Sequence, residues 1–291
     1  MFDLLDQCTG FMGATQDYEN SNVVLVGAPM DFTVSFRPGT RQGPRAIRQV
    51  SVGLEEYSVM LDLDLADYAY FDAGDIALPF GHVLESLERI GKVVAKIIAD
   101  NKFPLVLGGE HLISLPVIME VVKKYPGLKI LHFDAHADLR QDYMGQTLSH
   151  ASVMRRAVDL VGGQNIYQFG IRSGTKEEFD YARGHTRMFP AKVLEPLQQV
   201  LPELLGHPVY LSLDIDVVDP AYAPGTGTAE PGGCTSTEIL EAIYLMKELK
   251  VVGMDLVEIS PVYDHSEKTA LLGAKLVREA ILAFGRSKIK V

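Results

Sequence analysis

Short apolar runs alternate with helical patterns along nearly the whole chain, and this alternation restricts the fold more than any other feature. Residues 22–26, 69–71, 103–107, 129–133, 165–169, 209–213 and 251–257 read as short buried strands. Helices are predicted after Gly43-Pro44, over 82–100, from beyond His111 to about 124, and over 150–161, 177–182, 191–205, 235–248 and 267–284. The pattern is sharpest over 82–100, where Leu84, Leu87, Ile90, Val94, Ile97 and Ile98 recur at helical spacing. Strand and helix in regular alternation imply right-handed β-α-β units and a mostly parallel sheet covered on both faces, an α/β fold of three layers, α/β/α. With no linker, composition break or internal repeat, residues 1–291 are expected to form one domain. Residues 1–20, polar and irregular, are expected to form an N-terminal surface arm, and a turn is predicted at 72–75.

The placement of the acids and histidines follows the same pattern. Asp134, His136 and Asp138 come directly after the run Lys-Ile-Leu-His-Phe, at every second position, so extended backbone would aim them to one side. Asp214 and Asp216 repeat that spacing after a second apolar run, and His111 follows Gly108-Gly109 after a third. In parallel sheets the carboxyl ends of the strands form the ligand crevice. Four aspartates and two histidines gathered there suit a pair of divalent cations. With oxygen donors dominant and no thiolate, Mn²⁺ is favoured over a soft-ligand zinc site. Four buried aspartates without cations would be very unfavourable. His132 shares the parity but lies inside the strand run, so a buried, hydrogen-bonded histidine is expected. Asp72, Asp75 and Asp219 are expected to be structural. His150 opens a helix, as its cap or as a mobile proton carrier. Glu258 ends the last strand, where it would hold a cationic substrate or pair with another charge. Arg37, Arg41 and Arg45 suggest an anion site or, equally, a solvated or inter-subunit face.

The net charge of −11 argues against a nucleic-acid partner and suits a cationic substrate or bound metal. No secretion signal and no membrane-length apolar run is evident, so a cytoplasmic location is expected. Cys8 and Cys234, with no Cys-x-x-Cys, are expected to be free thiols.

Read as an ordered set, Gly108-Gly109-Glu110-His111, Asp134-Ala135-His136-Ala137-Asp138, Ser212-Leu213-Asp214-Ile215-Asp216-Val217-Val218-Asp219-Pro220, Pro224-Gly225-Thr226-Gly227-Thr228 and Asp255-Leu256-Val257-Glu258-Ile259-Ser260-Pro261 resemble the arginase–agmatinase family of ureohydrolases. The resemblance covers almost the whole chain, and Tyr263-Asp264-His265-Ser266-Glu267 is similar to the final loop of its agmatine-cleaving branch. It implies two Mn²⁺ per subunit. One would be held by His111, Asp134, Asp138 and Asp214, the other by Asp134, His136, Asp214 and Asp216, with Asp134 and Asp214 shared. It also implies proton transfer by His150, contact of Glu258 with the substrate guanidinium, and a homo-oligomer, trimeric or hexameric.

The implied reaction is cleavage of agmatine to putrescine and urea by a metal-bridging hydroxide, with Asp138 taking the proton of the attacking hydroxide. Arginases usually carry Asn where this chain has Arg140, in a position that helps to read an α-carboxylate. Arg140 could still meet a carboxylate, so guanidinobutyrate and arginine remain alternative substrates. A non-catalytic metal-binding protein on this fold would be expected to have lost some of the six ligands, and all six are present.

Overall fold

Side chains alternate across each strand, and here both sets are apolar, which commits the sheet to burial on both faces. The computed structural model describes residues 4–6 and 10–287. Its strands are β1 (Leu5–Asp6), β2 (Val23–Ala28), β3 (Tyr57–Ser58), β4 (Leu63–Asp64), β5 (Tyr70–Ile76), β6 (Phe103–Gly108), β7 (Lys129–Phe133), β8 (Ile166–Ile171), β9 (Arg187–Pro190), β10 (Pro208–Asp214) and β11 (Lys250–Val257). The α-helices are α1 (Gly43–Ser51), α2 (Val83–Ala99), α3 (Ser114–Lys124), α4 (Val153–Val161), α5 (Lys176–His185), α6 (Leu194–Leu204), α7 (Ser236–Leu245) and α8 (Lys268–Phe284).

Nine strands form one sheet in the order β1-β5-β2-β6-β11-β10-β7-β8-β9, parallel except for the edge strand β1. Val23, Leu25, Leu105, Leu107, Leu131 and Phe133 face a core closed by α1, α6, α7 and α8. The intervening Val24, Val26, Val106 and Ile130 face a second core closed by α2, α3 and α4. The expected three layers are therefore present. The helix over Val83–Ala99 buries Leu87, Ile90, Val94, Ile97 and Ile98, and full burial of such side chains contributes roughly 1.5–3 kcal/mol each. Leu84, counted in the same stripe, is exposed.

The central order β6-β11-β10-β7 matters most for the site. His111, Glu258, the Asp214–Asp216 pair and the Asp134–Asp138 triplet follow these four strands in turn. Residues far apart in sequence thus leave neighbouring strands at one edge. Gly109 permits the close approach that this edge needs, since a Cβ there would lie 1.9 Å from the Met30 carbonyl oxygen.

Two expectations need correction, and a strand of the main sheet was missed. Residues 72–75 are not a turn, because β5 runs through them; Arg48, buried, binds Asp72 at 2.8 Å and Asp75 at 2.6 Å and offsets their charge inside the strand. The strand β9 was not foreseen, since Arg-Met-Phe-Pro is short and has no alternation. The N-terminal segment is not a free arm over its described part. Phe11, Met12 and Tyr18 are buried, the Phe11 N–H donates to Asp72, and the Tyr18 hydroxyl donates to Asp100. Cys8 lies outside the described residues; Cys234 is a buried free thiol, pushed up to about 12 by that burial. Among the described residues no helix is long and apolar enough to cross a membrane.

Candidate metal centre

The first donor group centres on His111. Its Nδ1 lies 3.0 Å from Asp134 Oδ2, 3.2 Å from Asp138 Oδ2 and 3.3 Å from Asp214 Oδ2. The orientation of the ring is fixed from behind. Ser212 donates its hydroxyl proton to Asp255, and its oxygen lies 2.9 Å from His111 Nε2. That oxygen can only accept, so Nε2 carries the proton and the Nδ1 lone pair faces the three carboxylates.

The second group joins His136 Nδ1 to Asp216 Oδ2 at 2.9 Å and to Asp134 Oδ1 at 3.5 Å. Asp134 belongs to both groups. Neither His111 Nδ1 nor Asp216 Oδ2, both buried, makes a hydrogen bond. Buried donor atoms that converge without a hydrogen bond are what a cation would satisfy, and the residues therefore fit a divalent metal pair.

The electrostatics agree. Burial raises the Asp214 carboxyl well above the carboxylate range, and Asp216 and Asp134 add to it. Burial and Asp134 likewise raise Asp216. Burial opposes the charged form of His136, but Asp216 and Asp134 outweigh it and bring the imidazole up to about 12. Protons held this tightly are stand-ins for metal ions, which compete for the same lone pairs.

The remaining residues line a cavity of about 280 Å³ above these groups, including Asp138, Arg140, Tyr143, His150, Glu178 and Glu258. Glu258 is buried, accepts the His111 backbone N–H at 2.9 Å and has φ 63°. Asp138 has φ 53°. Burial raises the Glu258 carboxyl. His150 opens the 3₁₀ turn His150–Ser152, and its own backbone N–H donates to Thr33 Oγ1. Ser149 rather than His150 holds the cap position of that turn, its backbone N–H donating to Ser152 Oγ at 3.1 Å. Burial pulls the His150 imidazole below its ordinary value. Thr33 in turn donates to Glu110, which burial pushes up to about 7.

Arg140 reaches the cavity wall but is already engaged. Its Nε lies 3.5 Å from Glu178, and its guanidinium lies 4.9 Å from the centre of the Tyr143 ring. Tyr143 begins a tight turn closed by reciprocal backbone bonds with Gln146, with Met144 and Gly145 at positive φ, and sets its ring edge-on to His150. Neither Tyr143 nor Glu178 was singled out from sequence. Glu178 carried a usable signal, because Thr175-x-x-Glu178 is a capping box at the start of α5; Tyr143 carried none.

His132 is buried and hydrogen-bonded, as expected from its place inside the strand. Asp219 serves a turn, accepting backbone N–H groups of Ala221 and Gly232. Arg37 and Arg41 are occupied by an aromatic pair and by Asp31 respectively.

Comparison with known proteins gives the same picture. The arginase family profile matches residues 21–283. An agmatinase from Bacillus subtilis (strain 168) is 54% identical over 279 residues, covering 94% of this chain and 96% of the relative. A guanidinobutyrase from Pseudomonas aeruginosa is 39% identical over 274 residues, covering 89% and 85%. The crystal structure of an agmatine ureohydrolase of Thermoplasma volcanium superposes with a TM-score of 0.86 at 34% identity, covering 96% of this chain and 95% of that one. A family match over most of the chain, joined to close relatives along its length, is decisive: this chain belongs to the arginase family.

Proposed function

We propose that the protein hydrolyses the guanidino group of agmatine to putrescine and urea, with two Mn²⁺ ions held by His111, Asp134, His136, Asp138, Asp214 and Asp216. The observation that carries this reading is the convergence of two histidine–carboxylate groups on the shared Asp134, beneath a cavity that also holds Glu258. The choice of agmatine is supported by the 54% identity to the Bacillus subtilis agmatinase. The metal-free histidine and carboxylate set is oxygen-rich, which supports Mn²⁺.

When bound, the cations would supply water acidic enough to attack carbon at neutral pH. The chain's own residues do the rest. The Glu258 carboxylate would pair with the guanidinium and hold its carbon over the two donor groups. Asp138 would accept the proton of the attacking oxygen. The carbon–nitrogen bond then breaks, and the departing amine must take up a proton. His150, which lines the cavity, would relay it. The amine leaves protonated and the carbon leaves as urea.

A guanidino acid is the second reading, favoured by Arg140 on the wall and by the guanidinobutyrase at 39% identity. Arg140 is held by Glu178 and Tyr143, so its charge is already met, which supports agmatine. Urea release from agmatine, guanidinobutyrate and arginine, after chelation and restoration of Mn²⁺, separates these. Agmatine is expected to be the preferred substrate by kcat/KM; preference for a carboxylate-bearing substrate refutes the proposal. A single domain over 1–291 and a cytoplasmic location, both read from sequence patterning, and a homo-oligomer, trimeric or hexameric by family resemblance, complete the reading.

His150→Ala is expected to lower kcat about 10²-fold, within the range for a lost general acid or base. Metal content should stay at the wild-type level, and added imidazole should restore part of the rate. Loss of metal instead would show that His150 serves structure.

A further inference from the structure

Behind Asp134 lies a chain of buried hydrogen bonds that the proposed mechanism leaves unused. His132 on β7 and Gln168 on β8 face each other in register across the parallel ladder, and both are fully buried. The direction of every bond between them can be deduced. The Ala137 carbonyl oxygen only accepts, and it lies 2.8 Å from Gln168 Nε2. This fixes which way the amide points. Gln168 Oε1 then accepts from the Thr186 hydroxyl at 2.9 Å. The second N–H of the amide lies with its nitrogen 3.1 Å from His132 Nδ1, so Nδ1 accepts. The imidazole proton must sit on Nε2, which is 2.8 Å from Asp134 Oδ2 and donates to it.

We propose that Gln168 is a positioning residue for the metal centre. It dictates the tautomer of His132, and His132 thereby becomes a donor that orients Asp134. By distance alone His132 groups with His111, Asp134 and Asp138 as a possible ligand. Its tautomer removes it from that role, because Nε2 has no free lone pair. Asp134 is held at its other oxygen by the backbone N–H of His136 at 2.5 Å. With both oxygens held, the carboxylate plane is fixed and its remaining lone pairs face His111 and His136. Residues behind a metal ligand usually act by direct contact; here the contact is made by a histidine whose orientation a glutamine sets.

The tautomer stands on hydrogen-bond geometry alone, whereas its consequence for metal rests on the site proposed above. The experiment therefore reads the two separately. Ring ¹⁵N spectra of histidine-labelled, metal-free protein are expected to show His132 protonated at Nε2. In Gln168→Met, which keeps the volume but has no donor, that tautomer should no longer be fixed. In Gln168→Glu, which is close in shape but offers an acceptor, the Nδ1 position should gain a proton.

Mn²⁺ titrated into metal-free protein against a chelating dye should bind about 10–100-fold more weakly in Gln168→Met. His132→Phe should show a similar loss. The double variant should lose no more than either single one, because Gln168 acts through His132. Additive losses would mean that Gln168 acts by another route and would overturn the proposal. An unchanged tautomer with unchanged Mn²⁺ affinity in Gln168→Met and Gln168→Glu would overturn it too. Failure of the wild-type protein to bind Mn²⁺ would remove the metal reading and the role of Gln168 with it, while leaving the tautomer to stand or fall on its own spectrum.

Discussion

Asp216→Asn is expected to stay folded and to lose turnover by about 10³-fold or more, equivalent to roughly 4 kcal/mol of transition-state stabilisation. The substitution keeps the carbonyl oxygen that accepts the Ala135 N–H at 2.9 Å, so the loop keeps its shape. It removes the charge opposite His136, where the buried Oδ2 has no hydrogen bond. One of the two proposed Mn²⁺ ions should therefore bind weakly, which metal analysis after gel filtration would read directly. Full activity of Asp216→Asn with a single metal equivalent would refute the two-metal reading.

Thermal melts add a test independent of activity. Ligand at 100 times its Kd stabilises by about 2.7 kcal/mol, so Mn²⁺ should raise the wild-type Tm more than that of Asp216→Asn. The metal-free protein should also lose stability as pH rises from 7 to 9. Glu110 is raised from 4.5 to about 7, so the stability it lends is lost between about 4.5 and 7 and it adds little slope above that. His136 is raised from 6.5 to about 12, so its contribution fades from 6.5 upward. Between pH 7 and 9 the folded His136 holds a proton that the unfolded chain has largely released, and the slope is negative. Metal affinity should run the other way, strengthening with pH as those protons are displaced.

Glu258→Gln is expected to lower kcat/KM about 10³-fold with both metals retained. A buried charge pair truncated on one side loses 2–5 kcal/mol, and the proposed guanidinium would face a neutral amide at a buried position. Glutamine keeps an oxygen for the His111 N–H, so the loss reports on charge rather than on collapse of the loop. A variant retaining a tenth or more of wild-type kcat/KM would mean that the guanidinium is held elsewhere. Metal loss in the same variant would instead place Glu258 in support of His111.

The donors could be read from sequence because their spacing is a local property. Asp134 and His136, like Asp214 and Asp216, stand two residues apart where an apolar run marks the end of a strand, although Asp216 lies in the 3₁₀ turn Ile215–Val217 rather than in extended chain. The parallel fold put the strand ends at one edge, and the strand order β6-β11-β10-β7 made these four neighbours. What escaped was set by contacts between distant segments. Tyr143 reaches His150 through a turn built by Met144 and Gly145. Gln168 matters only because β8 lies in register beside β7. The expected turn at 72–75 failed for a similar reason: Asp and Gly are turn-forming residues locally, but Arg48 on α1 makes a buried strand tolerable there. Arg140 was read as a residue that could meet a substrate carboxylate; it lines the cavity, and its engagement by Glu178 depended on the distant start of α5.

Asp138 and Glu258 both sit at positive φ, 53° and 63°, a region that costs a side-chain-bearing residue of order 1–3 kcal/mol when the surroundings impose it. Glycine at either position would relax the backbone and delete a carboxylate from the cavity. Selection for stability alone would therefore pull these two positions away from acids. In a library of variants screened only for folding or heat resistance, glycine or asparagine at 138 and 258 should accumulate among inactive survivors. A screen that also demands turnover should retain the acids and seek its gains elsewhere in the chain.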